Sequence, residues 1–123
     1  MKLEVEKELI EEVLDFARFK HPREAILLLR GDVNGDLIHV TDYLFPPYAS
    51  SDNGSASFPT YMIPIDFRII GTLHTHPTGN NIPSITDHHN FYGWVMVLIG
   101  YPYELSNIVC YTKNNESVEI KII

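Results

Sequence analysis

Two histidines separated by one residue, His74-Thr75-His76, close an apolar run that begins at Phe67. In a strand, side chains at i and i+2 point to one face, roughly 6.5–7 Å apart along the chain. Two imidazoles so placed can converge on one ion, because zinc–nitrogen bonds are about 2.0–2.1 Å long. Eleven residues further on, Asp87 offers a carboxylate, and the Pro/Gly-containing loop between them can bring it back. Two histidines and a carboxylate, with a fourth position left to water, form a recurring catalytic zinc site. The chemistry this predicts is metal-assisted hydrolysis.

Hydrolysis of an amide needs a held metal, an activated water, a stabilised oxyanion and a protonated leaving amine. His74, His76 and Asp87 are the candidate metal ligands, for one Zn2+ per chain. A metal in such a site lowers the pKa of its water toward ~7. A carboxylate that is not a ligand can then carry the proton to the leaving nitrogen. Glu24 is the candidate for that role, since it opens the most hydrophobic strand of the chain, where a carboxylate has little other reason to be. The bland alternative is an edge glutamate whose head reaches solvent, the usual state of Glu. Ser84 stands three residues before Asp87 and has two readings. Ser-x-x-Asp at a helix start resembles a capping box; alternatively, Ser84 donates to the tetrahedral intermediate while Asp87 holds metal. His88 and His89 follow Asp87 and are secondary ligand candidates, whereas His21 and His39 have no convergent spacing.

The elements that must position these groups are legible as periodicities. Residues 3–19 show helical spacing, with Leu3, Ile10, Val13, Leu14 and Ala17 on one side and acidic residues on the other. His21-Pro22 ends that helix, because the residue before proline is biased away from the α region. Glu24–Arg30 reads as a strand buried on both faces, Asp32–Asp36 as a turn, and Leu37–Phe45 as the returning strand. The turn-rich stretch 46–60 is long for a structureless loop, and a short element is expected at Tyr61–Ile65. After the histidines, Ser84 to about Tyr92 reads as a helix. Trp94–Gly100, Asn107–Thr112 and Ser117–Ile122 read as strands. Together these predict a mixed sheet of about six strands flanked by helices, an α/β (α+β) fold in one domain spanning 1–123.

Composition bounds the function classes. The 123 residues are 45% hydrophobic and 20% charged, ordinary for a globular domain. Cys110 is the only cysteine, which rules out an intramolecular disulfide, and its apolar setting predicts a buried strand residue. The charged N-terminus does not resemble a signal peptide, and no apolar run reaches the ~20 residues of a membrane span. A cytoplasmic protein without membrane attachment is expected. Net charge is −7, and between Gly31 and Thr112 the only basic residue is Arg68, against seven acidic ones. Nucleic-acid binding requires clustered Lys and Arg, so no nucleic-acid partner is expected.

Alone, His-x-His is shared by cupins, amidohydrolase barrels and β-lactamase-type metalloenzymes. The barrel needs about 250 residues, the β-lactamase type a further Asp-His where Pro77-Thr78 stand, and cupins a glutamate a few residues on, which is absent. The complete pattern is more specific. Gly71-Thr-Leu-His-Thr-His-Pro77 followed by Pro83-Ser84-Ile-Thr-Asp87, with seven residues between His76 and Ser84 and two between Ser84 and Asp87, resembles the signature of the JAMM (MPN+, Mov34-type) zinc metalloproteases. Glu24, in a strand after the first helix and shortly before a glycine turn, matches the family's upstream glutamate.

The resemblance covers nearly the whole chain and implies a single MPN-type, cytidine-deaminase-like domain. It also implies a zinc isopeptidase that cuts the amide between the C-terminal glycine of a ubiquitin-like modifier and a lysine side chain. By position, His74, His76 and Asp87 would bind zinc, Glu24 would act as general acid/base, and Ser84 would steady the oxyanion. Precursors and conjugates of ubiquitin-like proteins with a Gly-Gly tail are the implied partners. A peptidase that trims the C-terminus of a sulfur-carrier or ubiquitin-like precursor is the second reading. An inactive MPN-type interaction module is the third, disfavoured because all five positions are kept. The chain resembles the compact archaeal and prokaryotic members, with segments 46–60 and 78–83 as the expected groove walls.

Overall fold

The structure, a computed structural model, describes residues 1–46, 50–51, 56–57 and 66–123. Its elements run β1 (Lys2–Val5), α1 (Lys7–Lys20), β2 (Ile26–Asn34), β3 (Leu37–Leu44), β4 (Ser50–Ser51), β5 (Ala56–Ser57), β6 (Ile69–His76), α2 (Ile85–His89), β7 (Val95–Gly100), β8 (Ile108–Tyr111) and β9 (Glu119–Ile122). A seven-stranded mixed sheet has the order β8-β7-β6-β2-β3-β1-β9, and β4 pairs with β5 separately. The α+β expectation holds, with one strand more than expected in the main sheet.

That extra strand is β1, and it corrects the expected start of the first helix at residue 3. Leu3 and Val5 alternate inward while Lys2 and Glu4 do not, a period of two at the very edge of the 3.6-residue pattern. The segment lies parallel to both β3 and β9, so tertiary pairing overrides the helical spacing of Leu3. The helix proper begins after Glu6, whose side chain makes no cap; instead the Lys7 N–H donates to the Ile123 carbonyl at 2.8 Å. Ile10, Val13, Leu14 and Ala17 form its buried stripe, and the chain leaves helical geometry at His21, before Pro22.

The stripe of α1 packs on one face of the sheet. Leu3 and Val5, Leu27 and Leu29, Ile38 and Val40, Leu73, Val97 and Ile99, and Cys110 all contribute to this core. Beyond β8 the chain turns back: Tyr111 bridges Ser117, and the Val118 N–H donates to the Cys110 carbonyl at 2.9 Å. The same segment then enters β9 at the far end of the sheet, so the sheet curls around α1. The other face, over β2 and β6, carries a smaller cluster of Ile26, Leu28 and Ile69, against which Leu44 and Tyr92 pack. Cys110 is buried as expected, and burial pushes its thiol up to about 12.

At the centre, β6 runs antiparallel to β2 and parallel to β7, and every residue of β6 and β7 is buried. Of the expected long loop, β4 and β5 are a two-residue ladder; residues 47–49, 52–55 and 58–60 and the element expected at Tyr61–Ile65 lie outside the described residues. The second helix is shorter than the stretch to Tyr92: it ends at His89, where the Asn90 side-chain amide donates to the Thr86 carbonyl at 2.9 Å and closes the last turn. Among the described residues, no helix is long and apolar enough to cross a membrane.

Candidate metal centre

The centre lies on the sheet face opposite α1. Alternation along β6 turns Leu73 toward α1, into the core, and therefore His74 and His76 to the other face. Ile26 of β2 stands opposite His74 in the antiparallel register. Counting back two residues places Glu24 on the same face as the histidines, though fifty positions distant in sequence. Asp87 arrives from α2, in the first turn of that helix.

These four side chains meet in a buried pocket. His74 and Asp87 are each 0% exposed, and Glu24 and His76 only 6%, which sets aside the solvent-reaching edge glutamate. Asp87 Oδ1 is 3.2 Å from His74 Nδ1, and Asp87 Oδ2 is 2.9 Å from His76 Nε2. Glu24 Oε1 is 4.0 Å from His74 Nδ1. Glu24, His76 and Asp87 each bring a ligand atom within 4.8 Å of the others, a compact trio beside which the ring of His74 is packed. His88 and His89 take no part in that group.

Ser84 and Asp87 form the capping box, and both halves are present. Ser84 Oγ accepts from the Asp87 N–H at 3.1 Å, and Asp87 Oδ2 accepts from the Ser84 N–H at 2.9 Å. The two readings of this pair are not exclusive in space. The cap occupies one oxygen of Asp87, while Oδ1 turns to His74; Ser84 is exposed and keeps its hydroxyl hydrogen to donate.

Charge in the pocket is set by burial against pairing. Burial lowers His74 to about 4, opposed by the Asp87 charge and reinforced by His76, so its ring is neutral near pH 7. His76 is raised: burial works against its charge, but the hydrogen bond and charge of Asp87, the Asn80 carbonyl and Glu24 outweigh it. Asp87 falls to about 2, because the His76 hydrogen bond, His74 and the Ser84 N–H overcome the upward push of burial. In this arrangement His76 donates from both nitrogens, Nε2 to Asp87 and Nδ1 to the Asn80 carbonyl at 2.5 Å. The second bond matters for ligation. With Nδ1–H held by Asn80, loss of the other proton leaves the Nε2 lone pair directed at the pocket, the usual way an outer partner orients a ligating histidine.

A cation fits this donor set. Among the described residues, both nitrogens of His74 and Asp87 Oδ1 are buried without a hydrogen bond, and leaving such groups unpaired costs on the order of 1–3 kcal/mol each. An ion beside them would satisfy Asp87 Oδ1 and one nitrogen of His74, since a neutral imidazole has a single lone pair to offer. Nitrogen and carboxylate donors in this number suit zinc.

Comparison with known proteins agrees with this geometry. Residues 6–117 match the family described as prokaryotic homologs of the JAB domain. The chain belongs to this family. It is therefore a compact prokaryotic member of the JAMM/MPN metalloproteases. A relative from Haloferax volcanii, described as a "probable metalloprotease", is 33% identical, the match covering 91% of this chain and 76% of that protein. A JAB1/MPN domain protein from Archaeoglobus fulgidus is 28% identical and superposes with a TM-score of 0.70, covering 100% of this chain and 99% of that one. A structure described as JAMM, a metalloprotease-like zinc site in the proteasome and signalosome, gives 0.72 at 24% identity over 100% and 99% of the two chains. At that identity it speaks for the fold alone.

Sequence reasoning missed the groups that act through main chain. Asn80 orients His76 with a carbonyl, which no residue type advertises. The turn that places it was partly visible: Pro77 occupies its second position, the Gly79 N–H closes it on the His76 carbonyl at 3.0 Å, and Gly79 has φ +82°. Gly100, at the end of β7, carries the turn from below. A Cβ there would lie 2.6 Å from Asn81 Oδ1 and 2.9 Å from the Gly79 carbonyl oxygen. Of the expected groove walls, the 78–83 segment does border the site through Asn80.

Proposed function

We propose that this JAMM family member is a zinc-dependent isopeptidase that removes ubiquitin-like modifiers by hydrolysing the bond between a C-terminal glycine and a lysine side chain. One observation carries the reading: Glu24, His74, His76 and Asp87 converge in a buried pocket, where atoms of His74 and Asp87 have no hydrogen-bond partner among the described residues, beside an exposed Ser84.

In this proposal His74, His76 and Asp87 hold the metal, and Glu24 is the general acid/base. Bound zinc supplies Lewis acidity, lowering the pKa of water and polarising a carbonyl. Glu24 takes the proton of the attacking water and delivers it to the departing lysine amine, which would otherwise leave as an unstable amide anion. Its burial strengthens that exchange, because the surrounding dielectric is low. The Ser84 hydroxyl donates to the oxygen that gains charge as the carbonyl becomes tetrahedral, and the cap bond from Asp87 N–H holds that hydroxyl in place. Asn80 keeps His76 in the ligating tautomer throughout.

The test is to incubate zinc-loaded protein with the ubiquitin-like conjugates and precursors of its own cell extract, with Glu24→Gln as control. Loss of conjugates, dependent on Glu24 and stopped by chelator, supports the isopeptidase. Trimming of precursor alone supports the processing peptidase. A protein that holds no zinc near one per chain, or that changes nothing in the extract, leaves only an interaction module.

A further inference from the structure

Between the two histidines stands Thr75, 1% exposed and, by alternation, on the sheet face opposite theirs. Extending the β2–β6 register from Ile26 and His74 places Thr75 opposite Ala25. Every second pair of an antiparallel ladder exchanges two main-chain bonds, and the Thr75 N–H bond to the Ala25 carbonyl marks this pair as one of them. Here only one is main chain, from Thr75 N–H to the Ala25 carbonyl at 3.0 Å. The other has been replaced: the Ala25 N–H donates to Thr75 Oγ1 at 2.7 Å. A side-chain hydroxyl thus takes the place of a carbonyl at the point where β2 departs from the regular ladder, one residue after Glu24.

Thr72, on the same strand, shows what a merely β-branched threonine does there. It is fully buried, and its hydroxyl has no hydrogen-bond partner among the described residues. Strand preference and packing account for Thr72, and valine would satisfy both. They do not account for the hydroxyl of Thr75.

We infer that Thr75 is the positioning residue for Glu24: its hydroxyl fixes the main chain at Ala25 and so sets the reach of the Glu24 carboxylate over His74 and His76. The inference rests on the proposed hydrolytic role of Glu24. It extends that role to a residue that touches neither substrate nor metal. Ala25 is 3% exposed, so its N–H has no ready access to water as a substitute partner. Displacing a catalytic group by about 1 Å costs roughly 10²-fold in rate.

The experiment compares Thr75→Val, Thr75→Ser and Thr72→Val with wild type, by zinc content, by hydrogen exchange at the Ala25 amide, and by the rate of conjugate cleavage in the extract assay. Thr75→Val should keep one zinc per chain, lose protection at Ala25 and lose about 10²-fold in rate. Thr75→Ser should recover both protection and rate, and Thr72→Val should match wild type. Should the valine chain not fold, Thr75→Ala is read in the same way. The inference is overturned if Ala25 stays protected without the hydroxyl, if Thr75→Val cleaves as fast as wild type, or if Thr72→Val loses as much. An inert wild type would sink the proposed function instead, and the exchange measurement at Ala25 would still decide whether the hydroxyl holds that strand.

Discussion

Replacing Asp87 by Asn separates its two roles, because the amide keeps the size of the carboxylate and can still accept from the Ser84 N–H, while the charge is lost. The magnitude follows from the pairing in the metal-free pocket. Asp87 is held at about 2 against an ordinary 3.8. At ~1.4 kcal/mol per pH unit, that displacement corresponds to about 2 kcal/mol favouring the folded, ionised carboxylate. The side chain is fully buried, so solvent screening does not erode it. The sign is fixed by linkage. A depressed carboxylate contributes stability above 3.8 that is lost as pH falls through about 2. Its partner His76 is raised, so the histidine's share is complete below 6.5 and fades as pH climbs through its raised value. The difference between wild type and Asp87→Asn should therefore be bell-shaped, widest between 3.8 and 6.5.

Denaturant unfolding in chelator at about pH 6 should show Asp87→Asn less stable by about 2 kcal/mol, a Tm lower by roughly 6–10 °C. The deficit should shrink toward both pH extremes. Zinc affinity measured by calorimetry should fall by more than about 10²-fold, beyond the 10–100-fold typical of losing an outer partner. A deficit that is flat with pH, together with unchanged zinc affinity, would refute the electrostatic reasoning and leave Asp87 as a helix cap alone.

Glu24→Gln should retain one zinc per chain and lose turnover, checked by metal analysis alongside the extract assay. Loss of zinc would instead make Glu24 a ligand, the role its compact grouping with His76 and Asp87 also permits. Ser84→Ala should slow cleavage by about 10²–10³-fold and cost ~1 kcal/mol in unfolding free energy through the lost cap; a cost in stability alone would confine Ser84 to capping. Gly100→Ala should displace the Gly79–Asn81 turn and, with it, the Asn80 carbonyl that holds His76. Zinc affinity about tenfold weaker and stability lower by about 1–3 kcal/mol are expected, and unchanged affinity would show that the turn does not govern His76.

Much of the fold was legible because its elements are periodic. The α1 stripe of Ile10, Val13, Leu14 and Ala17 and the apolar runs of β2 and β7 each report burial through local spacing. The mistaken boundary at β1 has the same origin. Leu3 fits a helical stripe and a two-residue alternation equally well, and only its pairing with β3 and β9 selects between them. At the second helix, the capping box was visible in Ser84 and Asp87, but the stop after His89 depends on an Asn90 side chain reaching back to Thr86.

For the site, the sequence alone determined the chemistry: which donor types stand at which spacing, and that Glu24 is an odd residue to begin a buried strand. Side-chain identity and short-range spacing are local properties, and local properties survive in a linear string. Only the tertiary structure decided that Glu24 lies inside, 4.0 Å from His74, and that Asp87 divides its oxygens between a cap and a histidine. It also assigned the holding of His76 and of the Glu24 segment to the Asn80 carbonyl and the Thr75 hydroxyl. Those assignments depend on strand register and on main-chain acceptors that every residue possesses. They leave no mark of residue type, and they exist only once β2, β6 and α2 have come together.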